Sequence, residues 1–259
     1  DNVIYRIVTL SDGKRLTMRI DARSITDCTV RAVIPASAAL RTLEAESMGT
    51  IRCEVPLGNG PVTVRSSEGS RIAADIRTGD DIRVHVSGCS RFEGALKGNN
   101  CKITVTEGSQ TDTRIEASGI CRVDVSASSR ASGSLKAHHC ALSLTEGSVA
   151  DMPVTSTGES TLVISLSSSS RFNGALKGNN CKITVTEGSV FDAPLTCKVH
   201  GEILLDASGR FAGDTSAGNS LHIKAANGSV MQGNADADVV LVHATASSHY
   251  NGSISAAGQ

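Results

Sequence analysis

Four cysteines share one position of a repeating strand pattern, and thiols are the side chains here most able to react or cross-link. Cys101, Cys121 and Cys140 occupy the same slot of three successive repeats, and Cys181 occupies it again after Leu162. Equivalent residues of stacked strands have Cα atoms ~4.8 Å apart, a distance that a disulfide tolerates. A cysteine in a narrow inward slot also behaves as a small apolar side chain. We expect reduced core thiols, with disulfides between neighbouring repeats as the alternative.

Two histidines precede one of these cysteines, in the segment His138-His139-Cys140. Imidazole nitrogens and thiolates are typical zinc ligands, but a zinc site needs clustered pairs. The remaining cysteines share no slot and give no such pairs; they are Cys28, Cys53, Cys89 and Cys197. An inward Cys140 also points away from the adjacent imidazoles, which splay apart. We interpret the two histidines as a corner variant, and the sequence predicts no metal site and no cofactor.

Charged residues follow a two-repeat rhythm. Arginine follows a small pair of residues in alternate repeats, and the repeats between them carry the pattern E-G-S-x-x-D. The residues are Arg91, Arg130, Arg171 and Arg210, then Glu107, Glu146 and Glu187, then Asp112, Asp151 and Asp192. A row of carboxylates suits calcium or a glycan, whereas alternation places opposite charges on neighbouring strands and avoids repulsion. We favour the second interpretation.

A duplicated segment shows which elements position these residues. Residues 90–109 read SRFEGALKGNNCKITVTEGS, and residues 170–189 repeat them with a single change, Asn173 in place of Glu93. The two copies begin eighty residues apart, a distance that holds four turns of a shorter period, near twenty. Self-similarity at a fixed period of this length is the mark of a repeat architecture.

Each repeat contains an alternating inward triplet, a small pair such as Gly-Ser, and a second alternating strand. We take Leu43/Ala45/Ser47 as the first triplet and Cys53 as the first inward slot of the strand that follows it. From first to last inward slot the spacing is fourteen residues in all eleven repeats. All the phenylalanines fall in one slot: Phe92, Phe172, Phe191 and Phe211. Such constancy predicts an all-β fold, a parallel β-helix of about 11 turns of 19–22 residues.

The first forty residues do not follow the period. Residues 3–10 and 15–22 look like two strands of a hairpin, and residues 29–34 like a third strand that ends at Pro35. Because the open ends of stacked strands invite aggregation, we expect residues 1–40 to form a β-rich N-terminal cap on one continuous domain, residues 41–259. The period persists to the last residues without a visible cap. We expect a partner there, including end-to-end self-association, or a longer natural chain.

Composition excludes some partners. The formal net charge of −1 argues against nucleic acid or an anionic membrane surface, since both select a basic protein face. No apolar run approaches the length that crosses a bilayer, so we expect no transmembrane segment. The sequence shows no signal peptide, so earlier removal of a leader peptide by cleavage stays an alternative.

The chain resembles the head-GIN domain family of autotransporter adhesins. The resemblance is carried by residues 30–35, VRAVIP, leading into residues 40–47, LRTLEAES, and by the Gly-Ser turns of each repeat. It implies a right-handed β-helix that is exported to the periplasm or the cell surface, as in Bacteroides relatives. It supplies no catalytic residue.

Three functions fit these features. The first is a non-enzymatic adhesin that binds a glycan, another extended polymer or a cell-envelope protein, with the outer strand face around Lys102, Thr104, Lys182 and Thr184 as contact surface. The second is a self-assembling structural scaffold. The third is a carbohydrate-active enzyme, which would need paired carboxylates in a cleft walled by long loops. The corners here have five or six residues, with one of eight, so we expect no enzyme and no catalytic residue.

Overall fold

The computed structural model describes residues 4–9, 16–21, 40–58 and 60–258, and every regular element among them is a β-strand. Strands β1 to β12 are Ile4–Thr9, Leu16–Asp21, Thr42–Ala45, Thr50–Arg52, Val62–Ser66, Arg71–Ala73, Ile76–Arg77, Ile82–Val86, Arg91–Gly98, Cys101–Val105, Gln110–Val125 and Arg130–Leu144. Strands β13 to β27 are Val149–Asp151, Val154–Ser156, Thr161–Leu166, Arg171–Asn173, Leu176–Val185, Val190–Asp192, Leu195–Leu205, Arg210–Ala212, Thr215–Ala217, Ser220–Ala225, Val230–Gln232, Ala235–Ala237, Val239–Ala244, His249–Asn251 and Ile254–Ala256.

The first two strands form the predicted hairpin. β1 and β2 pair antiparallel, with Thr9 opposite Leu16 and Ile4 opposite Asp21. The predicted third strand, residues 29–34, lies outside the described residues. The role of residues 1–40 as a cap, and the domain boundary at residue 40, stay predictions.

All other strands pair in parallel, each turn with the turn before and the turn after it. The pairing of Cys101 with Ile82 on one side and Cys121 on the other is typical. The strands form three outer faces. In one turn, residues 101–105 lie on face A, residues 110–112 on face B and residues 115–117 on face C. Each face also contains the residues of the other turns that pair in register with these. Face A holds eleven strand segments, so the prediction of an all-β parallel solenoid of about eleven turns is confirmed.

The interior consists of ladders of like side chains. Ile103, Val123 and Leu142 follow one another in register, and each is at least 98% buried. Three phenylalanines stack face to face, with ring centroids 5.1 Å apart for Phe172 and Phe191 and 4.5 Å apart for Phe191 and Phe211. The inward apolar side chains of each turn pack only against those of the neighbouring turns. Because this packing fixes how the strands pair, it also fixes which outer residues lie next to one another.

Faces A and B are joined by a corner of two consecutive residues with positive φ. All sixteen described non-glycine residues of positive φ belong to these corners, for example Ala127 and Ser128. The hydrogen-bond ladder continues through them: the Gly108 N–H donates to the Ala127 carbonyl at 2.9 Å, and the Gly147 N–H to the Ser168 carbonyl at 2.8 Å. Pairing with the next turn therefore holds a backbone shape that L-residues otherwise avoid.

A buried serine column follows the corner and explains the small pair in the sequence. The Oγ atoms of Ser90, Ser109 and Ser129 accept hydrogen bonds from the N–H groups of Ser70, Ser90 and Ser109, at 3.1, 3.1 and 3.2 Å. Among the described residues, the Ser90 N–H has only the Ser109 hydroxyl as acceptor, and without it the buried donor would cost roughly 1–3 kcal/mol. The N–H groups of Ser70 and Ser109 also reach the carbonyls of Ser67 and Thr106, at 3.2 and 3.3 Å.

The first turn departs from the predicted register by two residues. Leu43 pairs with Val64 rather than Val62, and Ile51, not Cys53, pairs with Ile72. Leu57 still opposes Ile76, so two extra residues lie between the strand at Ile51 and this bridge. Pro56 lies in that segment, where the lack of an N–H costs no ladder bond. The expected spacing of fourteen residues is wrong for this turn.

Candidate functional site

The predicted contact residues lie on face A but form two separate pairs. Lys102 and Thr104 point outward on β10, and Lys182 and Thr184 point outward four turns further on, at roughly 19 Å by strand spacing. Ala141 and Val163 lie in the lysine column between them. No single patch contains all four residues.

Ion pairs within the protein neutralise much of the charge on face A. The Lys182 Nζ lies 2.9 Å from the Glu202 carboxylate, and the Arg122 Nε lies 2.9 Å from that of Asp124. Lys102 has no carboxylate within ion-pair distance among the described residues. Of the two predicted lysines, only Lys102 is left to meet an external anion.

Face B carries the charge rhythm seen in the sequence. Arg130 contacts Asp151, and the Arg171 guanidinium lies 2.9 Å from the Asp192 carboxylate of the next turn. The expectation that alternation places opposite charges on neighbouring turns is confirmed for these two pairs.

The corner glutamates are engaged by backbone rather than by arginine. The Glu107 carboxylate accepts a 3.0 Å hydrogen bond from the Gly88 N–H. The Glu187 carboxylate accepts hydrogen bonds from the N–H and Oγ of Ser168, at 3.1 and 2.7 Å. These carboxylates therefore help to hold the left-handed corner of the preceding turn in place.

Face C carries a column of cations that sequence reasoning did not find. In register along the solenoid stand Arg77, Lys97, Glu116, Lys136, Thr155 and Lys177. Arg114 lies at the edge of this face, two residues before Glu116. The signal was present in the sequence, because each column member directly follows the aliphatic inward slot of its turn.

An open groove of about 1120 Å³ lies over the N-terminal part of face C. Arg41, Arg77, Lys97 and Arg114 line it, with Asp80 and Glu116 as the acidic members. Leu96, Gly58, Gly60 and Pro61 also line it. The groove therefore presents four cations against two carboxylates.

The cysteine ladder faces the core, as predicted from the sequence. Cys101, Cys121, Cys140 and Cys181 are at least 97% buried, and all seven cysteines in the described part of the chain are free thiols. Burial raises the pKa of Cys101 and of Cys140 to about 12, and that of Cys121 well above its ordinary value. The Cys121 thiol is also disfavoured as an anion by its two thiol neighbours.

A further buried thiol, that of Cys197, lies beside Cys181 at a different inward position of the turn. Its pKa is raised by a hydrogen bond with Cys181 and then by burial. Cys28 lies outside the described residues.

The histidine segment shows no convergent ligand set. Cys140 is buried, whereas His138 is exposed and its ring packs edge-on against His139 at a centroid distance of 4.4 Å. His139 contacts Ser160 of the next turn. No group of three histidine, cysteine or acidic residues in the described ranges is arranged to hold a metal ion.

Comparison with known families gives a match over the first part of the chain. The family model described as "Putative auto-transporter adhesin, head GIN domain" matches residues 1–141. The chain belongs to this family. The resemblance inferred from residues 30–47 is thus confirmed. The comparison with curated proteins found no match, and neither did the comparison with solved structures.

The structure of this head-GIN protein continues in the same register beyond the matched residues. Leu142 pairs with Ile164, and the ladder runs on through Ile183, Ile203 and Ile223. The described residues include no helix long and apolar enough to cross a membrane. Face C begins inside the matched residues and extends past them, since Lys136 pairs with Thr155 and Thr155 with Lys177.

Proposed function

We propose that the protein is a non-enzymatic adhesin of the cell surface or periplasm, which binds an extended polymer or an envelope protein along its outer faces. The observation that carries this proposal is the register itself. The parallel register places outer residues one strand spacing apart through eleven turns, so a ligand that lies along the rod meets many turns at once. Many weak equivalent contacts add up to useful affinity for a ligand that is itself repetitive.

The use of the carboxylates supports binding rather than catalysis. A glycoside hydrolase needs two carboxyl groups facing one bond, one of them with a raised pKa. Here Asp192 pairs with Arg171, and Glu107 and Glu187 accept backbone N–H groups of the preceding turn. Each of these carboxylates has a structural partner and faces solvent along the rod.

The main proposal is tested by retention on immobilised polysaccharides, with released sugar ends measured in the same samples. Retention without turnover is the expected result. Turnover that disappears when one acidic residue is replaced would contradict the proposal.

Variants test whether the contact lies on face A. Replacing Lys102 and Lys182 by Gln tests the predicted surface, and Lys224→Gln is the control, because Lys224 is exposed on the same face near the other end. Equal retention of all variants would place the contact elsewhere on the rod.

A further inference from the structure

The cations of the face C column are confined to one part of the rod, and Glu116 and Thr155 lie between them. From Arg77 to Lys177 the column spans five strand spacings, roughly 24 Å. Beyond Lys177 the same column continues with Thr196, Ser216 and Asp236. Positive charge therefore marks a segment of defined length.

Most of this charge has no partner within the protein. Lys97 and Arg114 share a single carboxylate, Glu116, at 3.8 and 3.0 Å. Arg77, Lys136 and Lys177 have no carboxylate within ion-pair distance in the described part of the chain. Four cations of face C and the adjacent Arg114 thus share one carboxylate, whereas faces A and B pair many of their cations internally.

The spacing of the lysines suits a polymer with regularly placed anions. Lys97, Lys136 and Lys177 are two turns apart from one another, so an extended chain lying along the rod meets an ammonium group about every 10 Å. A disaccharide of an extended glycan has a length of this order. One carboxylate per disaccharide would therefore meet one lysine per two turns.

We propose that face C, from Arg77 to Lys177, binds an acidic polysaccharide that carries a carboxylate on alternate sugars and lies parallel to the rod axis. This inference rests on the proposed function and assigns it a face and a ligand class. Arg77 and Arg114 offer planar, two-pronged donors to a carboxylate, and the lysines act as point charges. The groove beside Arg41 receives the chain at the N-terminal end of the segment.

A glycan fits this face better than a nucleic acid does. Proteins that bind single-stranded nucleic acid stack bases on aromatic side chains, and the face C positions from Arg77 to Lys177 carry none. The column offers threonine and lysine side chains, which donate hydrogen bonds to hydroxyl and carboxylate oxygens.

The test compares two ligands that differ only in charge. The probes are a hyaluronan decasaccharide and the same oligosaccharide with its carboxylates reduced to alcohols, titrated into the full chain. The face C variant is Lys97→Gln with Lys136→Gln and Lys177→Gln. The control variant removes three exposed cations from faces A and B, as Arg71→Gln with Arg83→Gln and Lys224→Gln. All are surface changes, and unchanged melting temperatures verify folding.

We expect the face C variant to bind the acidic probe on the order of tenfold more weakly than the unmodified protein, and the control variant less than about twofold more weakly. The unmodified protein should bind the reduced probe as weakly as the variant binds the acidic one. Raising the salt concentration should weaken binding of the acidic probe by the unmodified protein most.

Four results would overturn the inference. Equal losses in the two variants would indicate a diffuse charge effect. Tighter binding of a single-stranded DNA with the same number of charges would reject the glycan as ligand class. Equal binding of both probes, or retention only on neutral polysaccharides, would refute the acidic ligand but leave the proposed function standing. Failure to bind either probe or any polymer of the polysaccharide screen would overturn the inference and the polysaccharide form of the proposed function, and would leave an envelope protein as its ligand.

Discussion

Replacing Gly174 by alanine should destabilise the solenoid strongly. Gly174 has a φ of +147°, and a Cβ built there would lie 2.2 Å from the Met152 carbonyl oxygen of the preceding turn. Other glycines of this column meet the same obstacle, for example Gly213, whose Cβ would lie 2.1 Å from the Ala193 carbonyl oxygen. The glycine is thus required by contact between two backbones, in addition to the room it leaves for neighbouring side chains.

The cost has two parts. A backbone shape that alanine rarely adopts costs about 1–3 kcal/mol, and a forced contact in a packed interior costs about 1–3 kcal/mol. Their sum is a large fraction of the roughly 5–15 kcal/mol that stabilises a typical domain. We expect Gly174→Ala to lower the free energy of unfolding by about 2–6 kcal/mol.

The matched control is Gly79→Ala. A Cβ at Gly79 meets no atom within 4 Å, and its φ lies outside the positive range. Urea unfolding followed by circular dichroism measures both variants at one temperature. A large loss for Gly174→Ala and almost none for Gly79→Ala is expected. Equal unfolding midpoints would refute the assignment of this column to backbone contact.

Three further predictions concern the interior, the thiols and the corner. Ile103→Lys should cost several kcal/mol because it buries an unpaired charge, whereas Thr104→Lys on the outer side should cost little; equal melting temperatures would reject the register. Cys101 and Cys140 should react with a thiol reagent only after unfolding, and a cross-linked cysteine peptide would contradict this. Their pKa in the folded protein is about 12, above the ordinary 9.0, so the free energy of unfolding should be constant below pH 9 and fall between pH 9 and 12. A free energy of unfolding that does not change over this pH range would contradict the assignment. Ala127→Gly should stabilise by roughly 0.5–1 kcal/mol, since glycine accepts the φ of +51° without strain, and a lowered melting temperature would count against it.

Inward residues made most of the fold predictable. The position of each inward residue can be compared with the equivalent positions in the turn before and the turn after it. The spacing alone therefore places Cys121 between Cys101 and Cys140. The first repeat has only one neighbouring repeat in the sequence. Its spacing therefore predicts a position for Leu43 that is two residues out of register, and it does not reveal the insertion before Leu57.

Outer residues were harder to predict, because no packing rule restricts them. Lys102 and Lys182 are equivalent residues of the duplicated segment, but the fold separates the two copies by four turns and Glu202 neutralises Lys182. The cation column of face C crosses many turns and contributes only one residue to each. It becomes visible once the residues after the aliphatic slots are aligned, as at Lys97 and Lys136.

The central claim is contact along many turns without turnover, and a ligand length series tests it most directly. The affinity for hyaluronan oligosaccharides should rise with each added disaccharide until the ligand covers the roughly 24 Å between Arg77 and Lys177, and then level off. No new sugar ends should appear during the measurement. An affinity that is already maximal for a disaccharide, or steady release of new ends, would contradict the account.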